Sequence, residues 1–234
     1  MLSLMRLVQR IETKVTVFFK GLPRREFQAF VFCYLSFCLL ALLALSEAGQ
    51  PNKMDAAVAH SAYGISGLRA DWCRQITKLG DGHIIRIGCA FSILLLMFLR
   101  KWHYVPALLI GVFGEMELTR EIQKIIGRVR PDFPDIPRIN SFGYPSGHTG
   151  AAAALYGFWI IFVLREYRAK AISSPFIIVL ALVALSVGIS RIFLLAHWAT
   201  DVIGGFCFAI AWILLCFWVN EWMHTQPNDE PRSV

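Results

Sequence analysis

Three short polar segments interrupt the long apolar stretches of this sequence, and each carries residues that could act on an anion. They are Gly-Arg-Val-Arg-Pro at 127–131, Tyr-Pro-Ser-Gly-His-Thr at 144–149, and Ser190 and Arg191 followed by His197 and Asp201. Arginine, histidine and aspartate are costly next to lipid. Their recurrence at the ends of apolar stretches therefore predicts a functional site.

His197 and Asp201 form the first candidate pair, because they lie four residues apart where a helix is predicted to start. Side chains at this spacing share a helix face. The carboxylate would then hydrogen-bond one imidazole nitrogen and make the other a better nucleophile. Buried histidines also pair with carboxylates for purely structural reasons, but the neighbouring Ser190 and Arg191 favour catalysis.

The segment 145–149 opens a predicted helix, whose first backbone N–H groups and positive dipole end form an anion-binding arrangement. Ser146 would donate a hydrogen bond to the anion, Gly147 would let the backbone approach it, and His148 would supply a proton. The alternative is a simple helix cap by Ser146 or Thr149.

Three arginines form the third group of candidate site residues. Arg128, Arg130 and Arg191 carry planar donor groups that match the geometry of phosphate oxygens. Taken alone, such a pair as Arg128 and Arg130 is also typical of contacts with lipid headgroups.

The rest of the chain is too apolar for an ordinary soluble domain, since 56% of its 234 residues are hydrophobic. A bilayer span takes about 20 mostly apolar residues. We therefore predict an all-α integral membrane protein, a six-transmembrane helix bundle. Its spans are expected near 27–46, 84–99, 104–122, 150–164, 174–193 and 201–219.

Three regions follow from this layout. Residues 1–25 carry six basic residues against Glu12 alone, with apolar residues between them, and predict an N-terminal interfacial amphipathic helix. Residues 26–222 form the six-helix membrane domain, and residues 223–234 a flexible C-terminal tail. Residues 49–83 are expected to be the longest connection between spans.

The basic residues also predict the orientation. They are concentrated in 1–25, 100–103 and 165–170, and cytoplasmic segments carry the excess of Lys and Arg. Both termini are then cytoplasmic, in the inner (plasma) membrane, and the three polar segments lie on the outer face. Lipid phosphates explain the net charge of +7 better than nucleic acid does, because the basic residues lie between the spans.

Neither a metal site nor a cofactor is predicted. Of the six cysteines, only Cys73 clearly lies outside a predicted span, which supports neither a disulfide framework nor a zinc site. The sequence also lacks a cluster of carboxylates like those that usually hold magnesium.

The second half of the third predicted span is unusually charged. It holds Glu115, Glu117, Arg120, Glu121 and Lys124. Spacings of three and four residues allow ion pairs along one helix face. The first interpretation is a self-neutralising stripe that faces the bundle interior, and the second is a support for the catalytic loop.

The three polar segments resemble the signature of the type 2 phosphatidic acid phosphatase superfamily. Pro145-Ser146-Gly147-His148 matches its second part, and Ser190-Arg191, five residues, His197, three residues, Asp201 matches its third. The first part departs from the usual Lys, six residues, Arg-Pro. Gln123 stands where the lysine is expected, so Lys124 or Arg128 is the candidate replacement.

The resemblance implies a mechanism and a substrate class. His197 would attack phosphorus and become a phosphohistidine, Asp201 would orient it, and His148 would protonate the leaving oxygen and later activate water. Arg130, Arg191, Ser146 and the Gly147 amide would hold the phosphoryl group without a metal. Residues 26–222 would then be a membrane phosphatase domain.

The implied substrate is a lipid phosphate or diphosphate at the outer face, such as undecaprenyl diphosphate. Alternatives are a lipid phosphotransferase, a phosphatidylglycerophosphate or lipid A phosphatase, and a non-catalytic lipid-phosphate binder or transporter. The related vanadium haloperoxidases are soluble, unlike this chain. The sequence does not indicate an oligomeric state.

Overall fold

The computed structural model describes residues 23–46, 50–63, 68–134, 136, 139–167 and 175–224. The regular secondary structure of these residues consists of α-helices and two single turns of 3₁₀ helix, Lys78–Gly80 and Trp102–Tyr104, which confirms the all-α class. The helices are α1 (Arg24–Ser46), α2 (Lys53–Tyr63), α3 (Leu68–Thr77), α4 (Gly82–Phe98), α5 (Val105–Ile126), α6 (Gly147–Tyr167), α7 (Pro175–Phe193) and α8 (Ala199–His224).

A long helix lies at each of the six predicted spans, but length and composition support fewer. Four helices, α1, α6, α7 and α8, are long and apolar enough to cross a membrane. A fifth span results if Asp71–Gly80 and α4, which are bent by 48° at the break between them, count as one. The charged second half of α5 separates it from these helices in composition, so the count of six stays a prediction.

The two ends of the chain fall largely outside the described residues. The predicted amphipathic helix at 1–25 is described only from residue 23, and Arg24 and Arg25 belong to α1. The predicted tail is likewise outside from residue 225 onward, while α8 continues through Met223 and His224.

The core lies between α4, α5, α6 and α8. The small residues from Gly150 to Ala154 are all buried, so this part of α6 is enclosed on every side, and their size lets α8 pack closely against it. Farther along α6, the ring of Phe158 lies against Phe217, and that of Phe162 lies against Tyr104. The small residues thus lie near the start of α6 and the large rings toward its end.

The connection at 49–83 is mostly helical, which the sequence analysis did not predict. α2 buries Asp55, Ala59 and Ala62. The two alanines form a hydrophobic cluster with Leu195 and Trp198, which lie in the turn before α8. The connection therefore covers the third polar segment.

The charged stripe on α5 neutralises its own charges as predicted, but it does not face the bundle interior as a whole, so that part of the interpretation is wrong. Arg120 pairs with Glu117 at 2.7 Å and Lys124 with Glu121 at 2.6 Å, and all four side chains are more than half exposed. Glu115 differs from them because it is fully buried, where its Oε1 accepts a hydrogen bond from Thr119.

Candidate active site

The three polar segments meet at one end of the bundle. α5 ends at Gly127, whose φ of 65° is the left-handed conformation that favours glycine and turns the chain into the next segment. The backbone N–H of Ser146 donates to the carbonyl of Asp201 at 3.0 Å. The start of α6 is therefore bonded directly to the first turn of α8.

His197 is the best-defined residue of the site. It lies in the turn before α8 and is 2% exposed. Its Nε2 lies 2.8 Å from Nη1 of Arg130. Because a guanidinium group only donates, Nε2 is the accepting, unprotonated nitrogen and Nδ1 carries the proton. This tautomer gives Nε2 the lone pair that a nucleophile needs.

Asp201 lies on the other side of the same ring. Its Oδ2 is 3.4 Å from Nδ1 of His197 and accepts a hydrogen bond from the backbone N–H of Trp198 at 3.0 Å. The imidazole contact is too long and too poorly aligned for a good hydrogen bond. The carboxylate nevertheless lies on the side of the ring where it can orient Nδ1–H.

Burial lowers the pKa of His197 to about 4, with Asp201 acting in the opposite direction and Arg130 reinforcing the shift. The imidazole is therefore neutral near pH 7. A neutral ring keeps the Nε2 lone pair available to attack phosphorus.

Arg130 of the first polar segment and Arg191 of the third reach the site from different parts of the fold. Arg130 donates from Nη1 to the carbonyl of Ala196 at 2.7 Å and from Nε to the carbonyl of Ser141 at 2.8 Å. Arg191, near the end of α7, donates from Nη1 to Thr77 Oγ1 at 2.9 Å. Both guanidinium groups are close enough to His197 to act on it electrostatically.

Ser146, Gly147 and His148 lie where they were predicted, at the start of α6. The Oγ of Ser146 is buried and accepts a hydrogen bond from Thr149 Oγ1 at 2.9 Å, which leaves its own hydrogen for another acceptor. His148 is partly exposed, and its Nε2 lies 2.7 Å from Asp81 Oδ1.

Arg128 does not fit its predicted role as a phosphate-binding residue. Its side chain is 1% exposed, and Nη1 donates to Thr200 Oγ1 at 2.6 Å and to Asp201 Oδ1 at 2.7 Å. Nη2 donates to Asp55 Oδ2 at 2.7 Å. A buried guanidinium group enclosed by two carboxylates holds Asp201 in place beside His197 and is not accessible to an incoming anion.

Lys124 and Gln123 separate as helical geometry requires, about 100° apart on α5. Lys124 is exposed and pairs with Glu121, so the structure gives its predicted phosphate contact no support. Gln123 points to the second segment, and its Nε2 donates to the carbonyl of Pro145 at 2.7 Å. The neutral residue at the lysine position therefore supports the loop before α6.

The sequence analysis missed three residues of this site, Asp55, Thr77 and Asp81. They contact Arg128, Arg191 and His148 respectively. All three lie in the 49–83 connection, and each binds a residue at least 67 positions away. The acidic residues of this connection were the available signal, but their spacing does not identify such distant partners.

Gly205 of α8 packs tightly against Ser146, and we expect Gly205→Ala to disturb the site. A Cβ at this position would lie 2.8 Å from the carbonyl oxygen of Ser146, which is backbone and cannot rotate away. We expect a loss of about 1–3 kcal/mol in stability and a clear fall in activity. Thermal unfolding in detergent and phosphate release would measure both.

Gly157→Ala is the matched control, because a Cβ at Gly157 would have no neighbour within 4 Å. This variant should keep wild-type activity and stability. Equal behaviour of the two variants would show that the packing of α8 against Ser146 does not control the site.

The chain matches known proteins in sequence and in structure. A model of the PAP2 superfamily matches residues 107–224, which contain all three polar segments. Phosphatidylglycerophosphatase B of Bacillus subtilis (strain 168) is 32% identical over 184 residues, which cover 74% of this chain and 85% of that protein.

Two crystal structures share the architecture. A transmembrane PAP2-type phosphatidylglycerolphosphate phosphatase from Bacillus subtilis superposes with a TM-score of 0.68 at 27% identity, over 82% of this chain and 96% of that one. Aquifex aeolicus LpxE superposes with a TM-score of 0.55 at 18% identity, over 72% of this chain and 97% of that one, and shows the fold alone. Together with its apolar helices, these matches show that the chain is an integral membrane protein that belongs to the PAP2 superfamily.

Proposed function

We propose that this protein is a lipid phosphatase that hydrolyses a lipid phosphate through a phosphohistidine on His197. The observation that carries the proposal is the unprotonated Nε2 of His197, held beside the guanidinium group of Arg130. A nucleophile, an orienting carboxylate and a positively charged anion site thus occur together. A simple anion-binding site has no need of the first two.

The first half-reaction follows from these contacts. The phosphoryl oxygens of the substrate would accept hydrogen bonds from the N–H groups of Arg130. The Nε2 lone pair of His197 would then no longer be engaged by Arg130. The Nε2–P bond forms as the bond from phosphorus to the leaving oxygen breaks, and His148 gives that oxygen a proton. Arg191, Ser146 and the Gly147 amide would stabilise the charge on the phosphoryl group.

The second half-reaction restores the enzyme. A water molecule gives a proton to His148 and attacks phosphorus, the Nε2–P bond breaks, and phosphate leaves. Asp201, held by Arg128 and by the N–H of Trp198, keeps the His197 ring oriented through both halves. This sequence of steps involves no metal, which stays a prediction.

Phosphatidylglycerol phosphate is our first proposed substrate. It is supported by the names of the Bacillus subtilis relatives, which are phosphatidylglycerophosphate phosphatases. The comparisons give no comparable support for undecaprenyl diphosphate. We further propose, from the distribution of basic residues, that the site lies on the outer face and that both termini are cytoplasmic.

The test is phosphate release by the purified protein in detergent, with EDTA present, from a panel of lipids. The panel comprises phosphatidylglycerol phosphate, phosphatidate, undecaprenyl diphosphate and lipid A. We expect release that EDTA does not affect and that is fastest with phosphatidylglycerol phosphate. Inhibition by EDTA would contradict the metal-free mechanism, and lipid binding without any release would make the protein a binder.

A transferase reaction has its own readout. If the phosphohistidine were to donate to a second lipid, adding that lipid would produce a phosphorylated product in place of inorganic phosphate. Mass analysis of the lipids after the reaction would detect it. We expect inorganic phosphate as the product throughout.

A further inference from the structure

The corner between α3 and α4 lies directly against the start of α6. A Cβ on Gly80 would lie 2.8 Å from the carbonyl oxygen of His148 and 3.2 Å from its Cβ. Glycine at this position is therefore what allows the backbone to come so close. The next residue in the chain is Asp81, whose side chain reaches the imidazole of His148.

The contact between Asp81 and His148 fixes the proton on the ring. Oδ1 of Asp81 lies 2.7 Å from Nε2 of His148. Because a carboxylate only accepts, Nε2 carries a hydrogen that points at Asp81. Among the described residues no hydrogen bond engages Nδ1 of His148, so Nδ1 is the nitrogen that remains for a substrate.

The negative charge of Asp81 can stabilise a protonated His148. An acid must bind a proton and become a cation, yet His148 lies within the electrostatic reach of Arg191 and Arg130, which both oppose a further positive charge. Asp81 is the anion that faces the same ring and offsets them. An orienting carboxylate is the usual partner of a histidine that transfers protons.

We propose that Asp81 is the positioning residue of His148, and that it keeps Nε2 protonated while Nδ1 exchanges a proton with the leaving oxygen and then with water. The site thus contains two His–Asp pairs, one for attack on phosphorus and one for proton transfer. This role rests on the proposed function, since His148 acts as an acid only if a P–O bond is broken.

Protons are conserved in both half-reactions. In the first, the proton on Nδ1 goes to the leaving oxygen as the P–O bond breaks and the bond to His197 forms. In the second, water returns a proton to Nδ1 as its oxygen bonds to phosphorus and the N–P bond breaks. Asp81 holds the same Nε2 hydrogen throughout and consumes nothing.

The competing explanation is an incidental surface contact, because the side chain of Asp81 is 44% exposed and that of His148 33%. Exposed pairs of this kind often contribute little to stability. A structural contact would affect all substrates alike, whereas support for an acid depends on how much the leaving group needs a proton. The leaving group therefore separates the two explanations.

The experiment compares Asp81→Asn with wild type on two substrates. One is phosphatidylglycerol phosphate, whose alkoxide leaving group needs protonation, and the other is 4-nitrophenyl phosphate, whose phenolate does not. Single-turnover release of the leaving group follows only the first half-reaction. Asparagine still accepts a hydrogen bond from Nε2 but lacks the charge, so the geometry is retained.

We expect Asp81→Asn to slow release from the lipid by about 100-fold, the lower end of general-acid contributions. The rate with 4-nitrophenyl phosphate should fall less than about 5-fold on the same argument, and KM for the lipid should stay near the wild-type value. Asp81→Glu should recover part of the lost rate. Asp71→Asn is the control, because Asp71 is exposed and pairs with Arg74.

Equal losses on the two substrates, or no loss on either, would overturn the role of Asp81 and leave the phosphatase standing. A wild-type protein that releases phosphate from neither substrate would overturn the proposed function itself, and the role of Asp81 with it. A lower melting temperature of Asp81→Asn accompanied by equal losses would identify a structural contact.

Discussion

His197→Ala is expected to abolish phosphate release, with a loss of at least about 10⁴-fold, because replacing a nucleophile removes the covalent route altogether. In the proposed mechanism the Nε2 lone pair is the attacking group, and His148, whose Nε2 contacts Asp81, serves proton transfer instead. Phosphate release from the preferred lipid would measure the effect. Rapid quenching of the wild-type reaction at alkaline pH should trap a phosphohistidine that the variant lacks.

Folding must be checked separately, because His197 is buried. His197→Asn keeps more of the side-chain volume and should be equally inactive while unfolding near the wild-type temperature. His224→Ala is the control, since His224 is exposed on the last turn of α8, far along the helix from Asp201. Appreciable turnover in a folded His197 variant would remove the assigned nucleophile.

Asp55→Ala is expected to cause the largest loss of stability. Asp55 is fully buried and accepts hydrogen bonds from Arg128 Nη2 at 2.7 Å and from the backbone N–H of Thr200 at 3.0 Å. Removing one partner of a buried ion pair leaves an uncompensated charge, at a cost of about 3–5 kcal/mol. In a chain of this length that corresponds to a fall in Tm on the order of 10 °C.

Activity should fall with stability, because Arg128 also donates to Asp201. Asp55→Asn keeps the shape and one acceptor, so its loss should be smaller than that of Asp55→Ala. Asp71→Ala, a change at an exposed carboxylate, should leave Tm unchanged. A wild-type Tm in Asp55→Ala would show that the network around Arg128 does not stabilise the site.

The apolar helices and the second and third polar segments could be predicted from the sequence because both depend on local signals. Hydrophobic runs identify helices of sufficient length, and the spacing of His197 and Asp201 places them near one another. That Lys124 is exposed while Gln123 points to the loop before α6 also follows from helical geometry, since adjacent residues lie about 100° apart.

The 49–83 connection could not be predicted in the same way. α2 buries two alanines and an aspartate, a face with little hydrophobic signal. The role of Arg128 depends on Asp55 and Asp201, each 73 positions away, and no local pattern encodes such a pairing. The sequence therefore assigned Arg128 to the phosphate, whereas the tertiary contacts assign it to the carboxylate of Asp201.

Arg128, which donates to both Asp55 and Asp201, also has a consequence for biosynthesis. Asp55 contacts Thr200 across 145 positions of the chain, and Arg128 links Asp55 to Asp201. A chain whose last helix has not yet entered the bundle has Asp55 and Arg128 but lacks the residues they hold. We therefore expect the network around the proposed nucleophile, His197, to form only at the end of membrane insertion, and an incompletely inserted chain to be inactive.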